Sequence, residues 1–527
     1  MKREYWIAFV VLAALVLVPM LACAAPANYV PQSNVAKQQG AIAPDAAIEA
    51  GAPAVAAIPA PADQSSAPKP TPDAMFFENY GVNPFIDTED DHLSTFAMDV
   101  DTGSYTLARG YIADGLLPPK DAIRVEEFVN YFDYQYEFPD EGEAFAIQVE
   151  GSPSPFGETE RYEMVRIGLQ GYAIPAEERK DVALTFVIDV SGSMDREDRL
   201  TLVKGALTLL VEELRPTDSV AIVVYSDNTR AVLPPTSGAD KSTILNAIYD
   251  LHTEGATNAE AGIQLGYAQA EAAYNPEGVN RVILLSDGVA NVGETGPERI
   301  LRTIEENADK GIYLTSVGVG LGNYNDVMME QLADKGNGIY AYVDNIGEAR
   351  RLFVDNISGT LQSIAKDAKV QVDFNPDVVA RYRLLGFENR AIADEDFRDD
   401  TVDAGEIGAG HSVTALYEIK RHADAEGKIA TVYVRWEDPD STEVSEVSAE
   451  LDSDNLAQSF TETTPSFQLA VIVAEFAEVL RGSYWAQDNT LAGVAEEAQR
   501  IGGLFEGNKD VAEFVALVTQ AVALPEE

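Results

Sequence analysis

Between residues 181 and 365 the chain alternates short apolar runs with longer stretches of helical periodicity. The runs LTFVI (184–188), VAIVVY (220–225), RVILLS (281–286) and IYLTSVGVG (312–320) are almost continuously apolar. A strand with one wet face would alternate, so these read as parallel strands covered on both sides. The stretches 200–214, 242–251, 259–274 and 297–311 repeat apolar residues at helical spacing. Parallel strands need long crossover connections, and helices supply them. The pattern therefore predicts an α/β domain over 181–365, built on a doubly wound, mostly parallel sheet.

The flanks read differently. Residues 76–180 are mixed α+β, with short helices in 104–115 and 120–132 and alternating strands in 144–156 and 161–171. Residues 366–455 are β-rich, through KVQVDFN, ARYRLLGF, SVTALYEIK and ATVYVRWED. A helical C-terminal region, 456–527, follows, with apolar helical stretches at 466–481 and 490–523. The β-rich pieces before and after the α/β domain are expected to pair with each other. The α/β domain would then be an insertion in a β-rich one.

At the start, Lys2 and Arg3 precede an apolar run at 6–18, and the only cysteine, Cys23, stands just after it. A basic head, an apolar stretch and small residues make an export signal over 1–22. MLAC, ending at Cys23, resembles a bacterial lipobox, with Met20 and Leu21 where leucine and a small residue are commoner. The expectation is a lipidated Cys23. The alternative is an uncleaved anchor, since residues 6–25 are about long enough to span a bilayer. One cysteine rules out an internal disulfide. Alanine and proline supply about half of the residues after Cys23, so 23–75 is expected to be a lipid-anchored, disordered tether. The protein would then be exported and held in the cell envelope, at the outer membrane or the cell surface. Its formal net charge of −50 repels nucleic acid and anionic membrane surfaces. Membrane contact is expected through the lipid anchor only.

The first buried run stops abruptly in FVIDVSGSMD, where Asp189, Ser191 and Ser193 follow at alternate positions. A second run ends the same way, with Asp287 directly after Ser286, and EGATNAEAG places Thr257 before a helix. Ligands of open α/β sheets bind at the carboxyl ends of the strands. Three loops thus bring two carboxylates and three hydroxyls to one edge. Hard oxygen donors with no soft donor nearby suit Mg2+ or Mn2+. The plainer reading of DVSGS alone is a helix-capping turn.

Asp189-x-Ser191-x-Ser193, with Thr257 sixty-eight residues after Asp189 and Asp287 thirty beyond that, resembles the metal-ion-dependent adhesion site (MIDAS) of von Willebrand factor type A (VWA) domains. Further stretches resemble bacterial VWA lipoproteins of the YfbK type, namely NPFIDTEDDHLSTFAMDVDTGSY, LPPTSGADKSTIL and the long run from FNPDVVARYRLLGF to HSVTALYEI. The resemblance implies that Ser191 and Ser193 bind the metal directly and that Thr257 does so when a ligand is engaged. Asp189 and Asp287 would act largely through water. Such a site accepts a carboxylate from a protein partner as its last ligand.

Other stretches point elsewhere. MDVDTG (98–103) has an aspartate pair like that of haloacid-dehalogenase-type phosphatases, but Gly103 breaks the match, and a polar turn before a helix is expected. DEDFRDDTVDAGE (394–406) is expected to be a solvated acidic loop, with a Ca2+ cradle as the alternative. GVGLGN (318–323) reads as a turn. No G-x-S-x-G elbow is present, and the histidines are only 92, 252, 411 and 422. A non-enzymatic binding protein is therefore expected. The alternatives are a metal-dependent hydrolase using Ser191 with His252 as base, and a scaffold with an idle metal site.

Overall fold

The structure is a computed structural model. It describes residues 75–525 apart from 157–161, 176, 289–296 and 323. The expected signal peptide, Cys23 and all but the last residue of the tether lie outside the described residues. No described helix is long and apolar enough to cross a membrane.

Six strands make the central sheet, in the spatial order Tyr340–Val343, Ile312–Val319, Val279–Ser286, Val182–Asp189, Ser219–Tyr225, Arg230–Ser237. All pair in parallel except the last, which runs antiparallel on Ser219–Tyr225. Every residue of Val182–Asp189 and of Val279–Ser286 is buried, as continuous apolar runs require. The sequence reading found the four long runs but not the two edge strands. Arg230–Ser237 is mostly exposed and holds Pro234 and Pro235, which confine it to an edge. Tyr340–Val343 is only 4 residues long.

Two antiparallel sheets form a sandwich beside this domain, and each draws strands from both sides of the insertion. Glu163–Gly171 pairs with Ser412–Arg421, placing Ile167 opposite Ala415. Leu93–Ala97 pairs with Ser363–Phe374. Val165, Ile167, Leu169, Val413 and Tyr417 of one sheet meet Val370, Val372, Val432 and Val434 of the other in a single buried core. The β-rich flanks do pair with each other, around an inserted α/β domain.

A helical layer completes the molecule. Gly103–Ala113 and Val125–Val129, ahead of the insertion, pack with Pro465–Arg481, Leu491–Gly502 and Lys509–Val522 after it. Edge-to-face rings join them, Phe132 to Phe514 at 5.4 Å and Phe476 to Phe514 at 5.8 Å. The expected long stretch 490–523 is two helices, the second capped by the Asn508 side chain, which accepts from Val511 N–H at 3.0 Å.

Buried ion pairs tie the inserted domain to these flanks. Arg124 meets Asp326 at 2.7 Å, and Arg109 meets Asp344 at 2.6 Å and Glu348 at 3.0 Å. Arg390 reaches Asp99, Glu330 and Asp334, each at 3.0 Å, and Asp101 at 3.3 Å. MDVDTG is the expected polar turn ahead of helix Gly103–Ala113, but a buried one. Asp99 Oδ1 does accept the Asp101 N–H at 2.8 Å, but both side chains are 5% exposed and face Arg390. The cation that buries them stands almost 300 residues later. The acidic loop 394–406 is solvated as expected, with Glu395, Asp399, Asp400 and Asp403 all exposed and pairing only at the surface. Asp400 pairs with Arg435 at 2.7 Å and Asp403 with Lys335 at 3.3 Å. Among the described residues no three His, Cys, Asp or Glu side chains gather as a metal cluster.

Candidate metal site at the carboxyl edge of the central sheet

From Val182–Asp189 the chain moves to Ser219–Tyr225 on one side, then returns to Val279–Ser286 on the other. Connections therefore leave in opposite directions at the end of Val182–Asp189, and a crevice opens there. Asp189 is the last residue of that strand, and Asp287 directly follows the neighbouring one.

A short hydrogen-bond chain links four of the five residues singled out in the sequence. Asp189 is fully buried. Its Oδ1 accepts the Ser191 N–H at 2.8 Å, and its Oδ2 accepts the Ser286 hydroxyl at 3.1 Å. The Ser191 and Ser193 hydroxyl oxygens stand 3.0 Å apart, and Ser193 donates to Asp287 Oδ1 at 3.1 Å. Ser193 thus spends its proton on a carboxylate and keeps lone pairs free. Burial pushes the Asp189 carboxyl up to about 6, against the pull of its hydrogen bonds, and the Asp287 charge adds to the rise. Burial also raises Asp287, while Arg199 and Ser193 pull it back.

Thr257 arrives on its own loop. The Gly192 N–H donates to the Gly255 carbonyl at 3.1 Å and the Glu254 N–H to the Val190 carbonyl at 2.6 Å, so the two loops are stitched together. Thr257 is half-buried, and no hydrogen bond joins its hydroxyl to the other four residues. Asn258, next in the chain, caps helix Ala259–Ala272 by accepting from Ala261 N–H at 3.2 Å. Gly262 and Gly266 press that helix onto the sheet. A Cβ at these positions would lie 2.6 Å from the Tyr225 ring and 2.3 Å from Val187 Cγ2. The helix thereby fixes the depth at which Thr257 sits.

Two contributors escaped the sequence reading. Ser286 was visible only as the residue before Asp287. Arg199, 3% exposed, donates from Nη1 to the Ser193 carbonyl at 2.9 Å and to Asp287 Oδ2, and from Nη2 to the Leu321 carbonyl at 2.7 Å. No local pattern marks it, because its partners come from three loops. The proposed base of a hydrolase, His252, is exposed, and its Nδ1 donates to the Asp250 carbonyl of its own loop at 3.0 Å.

Sheet order, switch-point crevice and hydroxyl–carboxylate edge together define a VWA domain, and the VWA family model, described as "von Willebrand factor type A domain", matches residues 183–355. A model described as "von Willebrand factor" matches 71–166, and one described as "Uncharacterized protein YfbK, C-terminal" matches 359–524. The uncharacterized protein YfbK of Escherichia coli (strain K12) is 35% identical over 477 residues, covering 85% of this chain and 81% of that one. The chain belongs to the YfbK family of VWA proteins. The uncharacterized protein sll0103 of Synechocystis is 28% identical over 189 residues, 36% of this chain and 44% of that one. The inter-alpha-trypsin inhibitor heavy chain H3 of Bos taurus is 27% identical over 214 residues, 39% and 22% of the two chains. Among solved structures, a von Willebrand factor type A protein from Catenulispora acidiphila aligns with a TM-score of 0.43 and 15% identity, over 71% of this chain and 89% of that one. VWA domains mediate protein interactions.

Proposed function

We propose that this is an exported, lipid-anchored protein of the cell envelope whose VWA domain binds a protein partner through one divalent cation, Mg2+ or Mn2+. Ser191, Ser193 and Thr257 would be direct donors, and Asp189 and Asp287 would hold the cation's water. When bound, the cation supplies an electrophilic open position for a partner carboxylate. Asp189 and Ser286 hold the first loop in place, and the Ser193 hydroxyl donates a hydrogen bond to Asp287.

The observation that best supports this is the 3.0 Å between the Ser191 and Ser193 oxygens. Adjacent vertices of a Mg2+ octahedron, with bonds of about 2.0–2.1 Å, lie about 2.8–3.0 Å apart. That spacing would let the two hydroxyls take adjacent vertices of such a shell.

Titration calorimetry of the full chain with Mg2+ and Mn2+ is the direct test, paired with capture of envelope proteins with and without EDTA. Asp189→Ala is expected to abolish metal uptake and metal-dependent capture while leaving the thermal melt intact. Equal uptake by both proteins, or by neither, would overturn the reading. For the anchor, Cys23→Ser is expected to release the protein from membranes or to leave its precursor uncleaved.

A further inference from the structure

Arg199 is the one cation in hydrogen-bond contact with the carboxylates of this site among the described residues. Its guanidinium bonds the carbonyls of Ser193 and Leu321 and also the Asp287 carboxylate, which leaves Nε buried without a partner. The side chain is held from both ends. It rises from a π-helical turn, Glu197–Thr201, that opens helix Leu202–Glu213. Its stem lies against Gly320, whose φ is +73° and where a Cβ would lie 2.5 Å from Arg199 Cγ and Nε. A wider helical turn and a side-chain-free partner are the kind of local exceptions that collect at functional sites.

Resting on the metal reading above, we propose that Arg199 is a positioning residue that sets the charge of the site. With Asp189 and Asp287 alone, two carboxylates would cancel a divalent cation, and little would remain to attract an anionic group. Arg199 neutralises Asp287 from behind and ties its Oδ2, so that carboxylate stays in the water-holding position. The loaded site then keeps a net positive charge, which makes it selective for a partner's carboxylate over a neutral ligand. The arrangement weakens metal binding and strengthens anion binding, because the same charge acts on both with opposite sign.

That opposition makes the inference testable in the full chain, with Mn2+ as the metal and acetate as the anionic probe. Arg199→Met removes the charge but keeps most of the stem. It is expected to bind Mn2+ on the order of ten-fold more tightly than wild type, as a like charge beside a cation site would predict. It is also expected to lose most of the tightening of Mn2+ binding that acetate causes in wild type. Arg199→Lys keeps the charge and should stay within about two-fold of wild type for the metal. If Arg199→Met fails to fold, Gly320→Ala, which drives a methyl into the arginine stem, should shift both affinities in the same directions. Unchanged or weaker Mn2+ binding in folded Arg199→Met would overturn the inference, leaving Arg199 as a structural brace. If wild type takes up no Mn2+, the metal reading and this inference fall together.

Discussion

Glu126, on the short helix Val125–Val129, is 1% exposed, and no side chain donates to its carboxylate oxygens. Gly386, at φ +83°, lets the backbone pass so close that a Cβ there would lie 2.4 Å from Glu126 Oε2. Burial, and then the nearby Glu388 and Glu127 carboxylates, push this group up to about 8. A group with a raised folded-state pKa contributes stability below its unfolded value near 4.5, and loses it as pH rises through about 8. The melting temperature of wild type should therefore fall from pH 5 to pH 9. Glu126→Gln should match wild type at pH 5 and melt several degrees higher at pH 9. A difference that does not vary with pH would show that the carboxyl is ionised throughout. The nearby Arg124 does not relieve Glu126, because Glu127 and Asp326 already hold it.

Helix Ala259–Ala272 shows how one element serves packing and site together. Its Gly262 and Gly266 lie one turn apart and face Tyr225 and Val187, so the backbone rides directly on the strands that end at the crevice. Gly266→Ala forces a Cβ into Val187 and should destabilise the domain by about 1–3 kcal/mol, the usual range for overpacking. The urea midpoint would report this, and Mn2+ affinity should fall with it, since Thr257 hangs from the same helix start. The sequence showed that helix, the four long strands and the strand-end residues Asp189, Ser191, Ser193 and Asp287 that the hydrogen bonds join. Those signals are periodic, or sit in contiguous motifs at strand ends. It did not show Arg199, whose partner Leu321 lies about 120 residues downstream. Nor did it show that Asp99 and Asp101 are buried, because Arg390 and the Tyr340 N–H, which bond their carboxylates, lie far along the chain. Arg230–Ser237 was lost for a different reason: an exposed edge strand with two prolines has no apolar period to read.

At the scale of the whole molecule, the first and last parts of the chain share one core. Tyr105, Phe128 and Phe132 pack against Phe476 and Phe514, which belong to helices after residue 465. A chain cut after residue 455 should therefore leave amides 103–132 without hydrogen-exchange protection, while those of Val182–Asp189 stay slow. Protection of 103–132 in the cut chain would mean that the early helices hold together alone. Strand pairing has the same reach, since Ile167 faces Ala415 across the sheet. Chains emerge at about 5–20 residues per second, so the early half of that ladder must wait roughly 12–50 seconds for its partner. During that interval Glu163–Gly171, whose residues are nearly all buried in the finished protein, is an unpaired apolar edge. A newly made copy is thus sticky for tens of seconds, and its yield should depend on whatever holdase keeps that edge occupied until the end of the chain arrives.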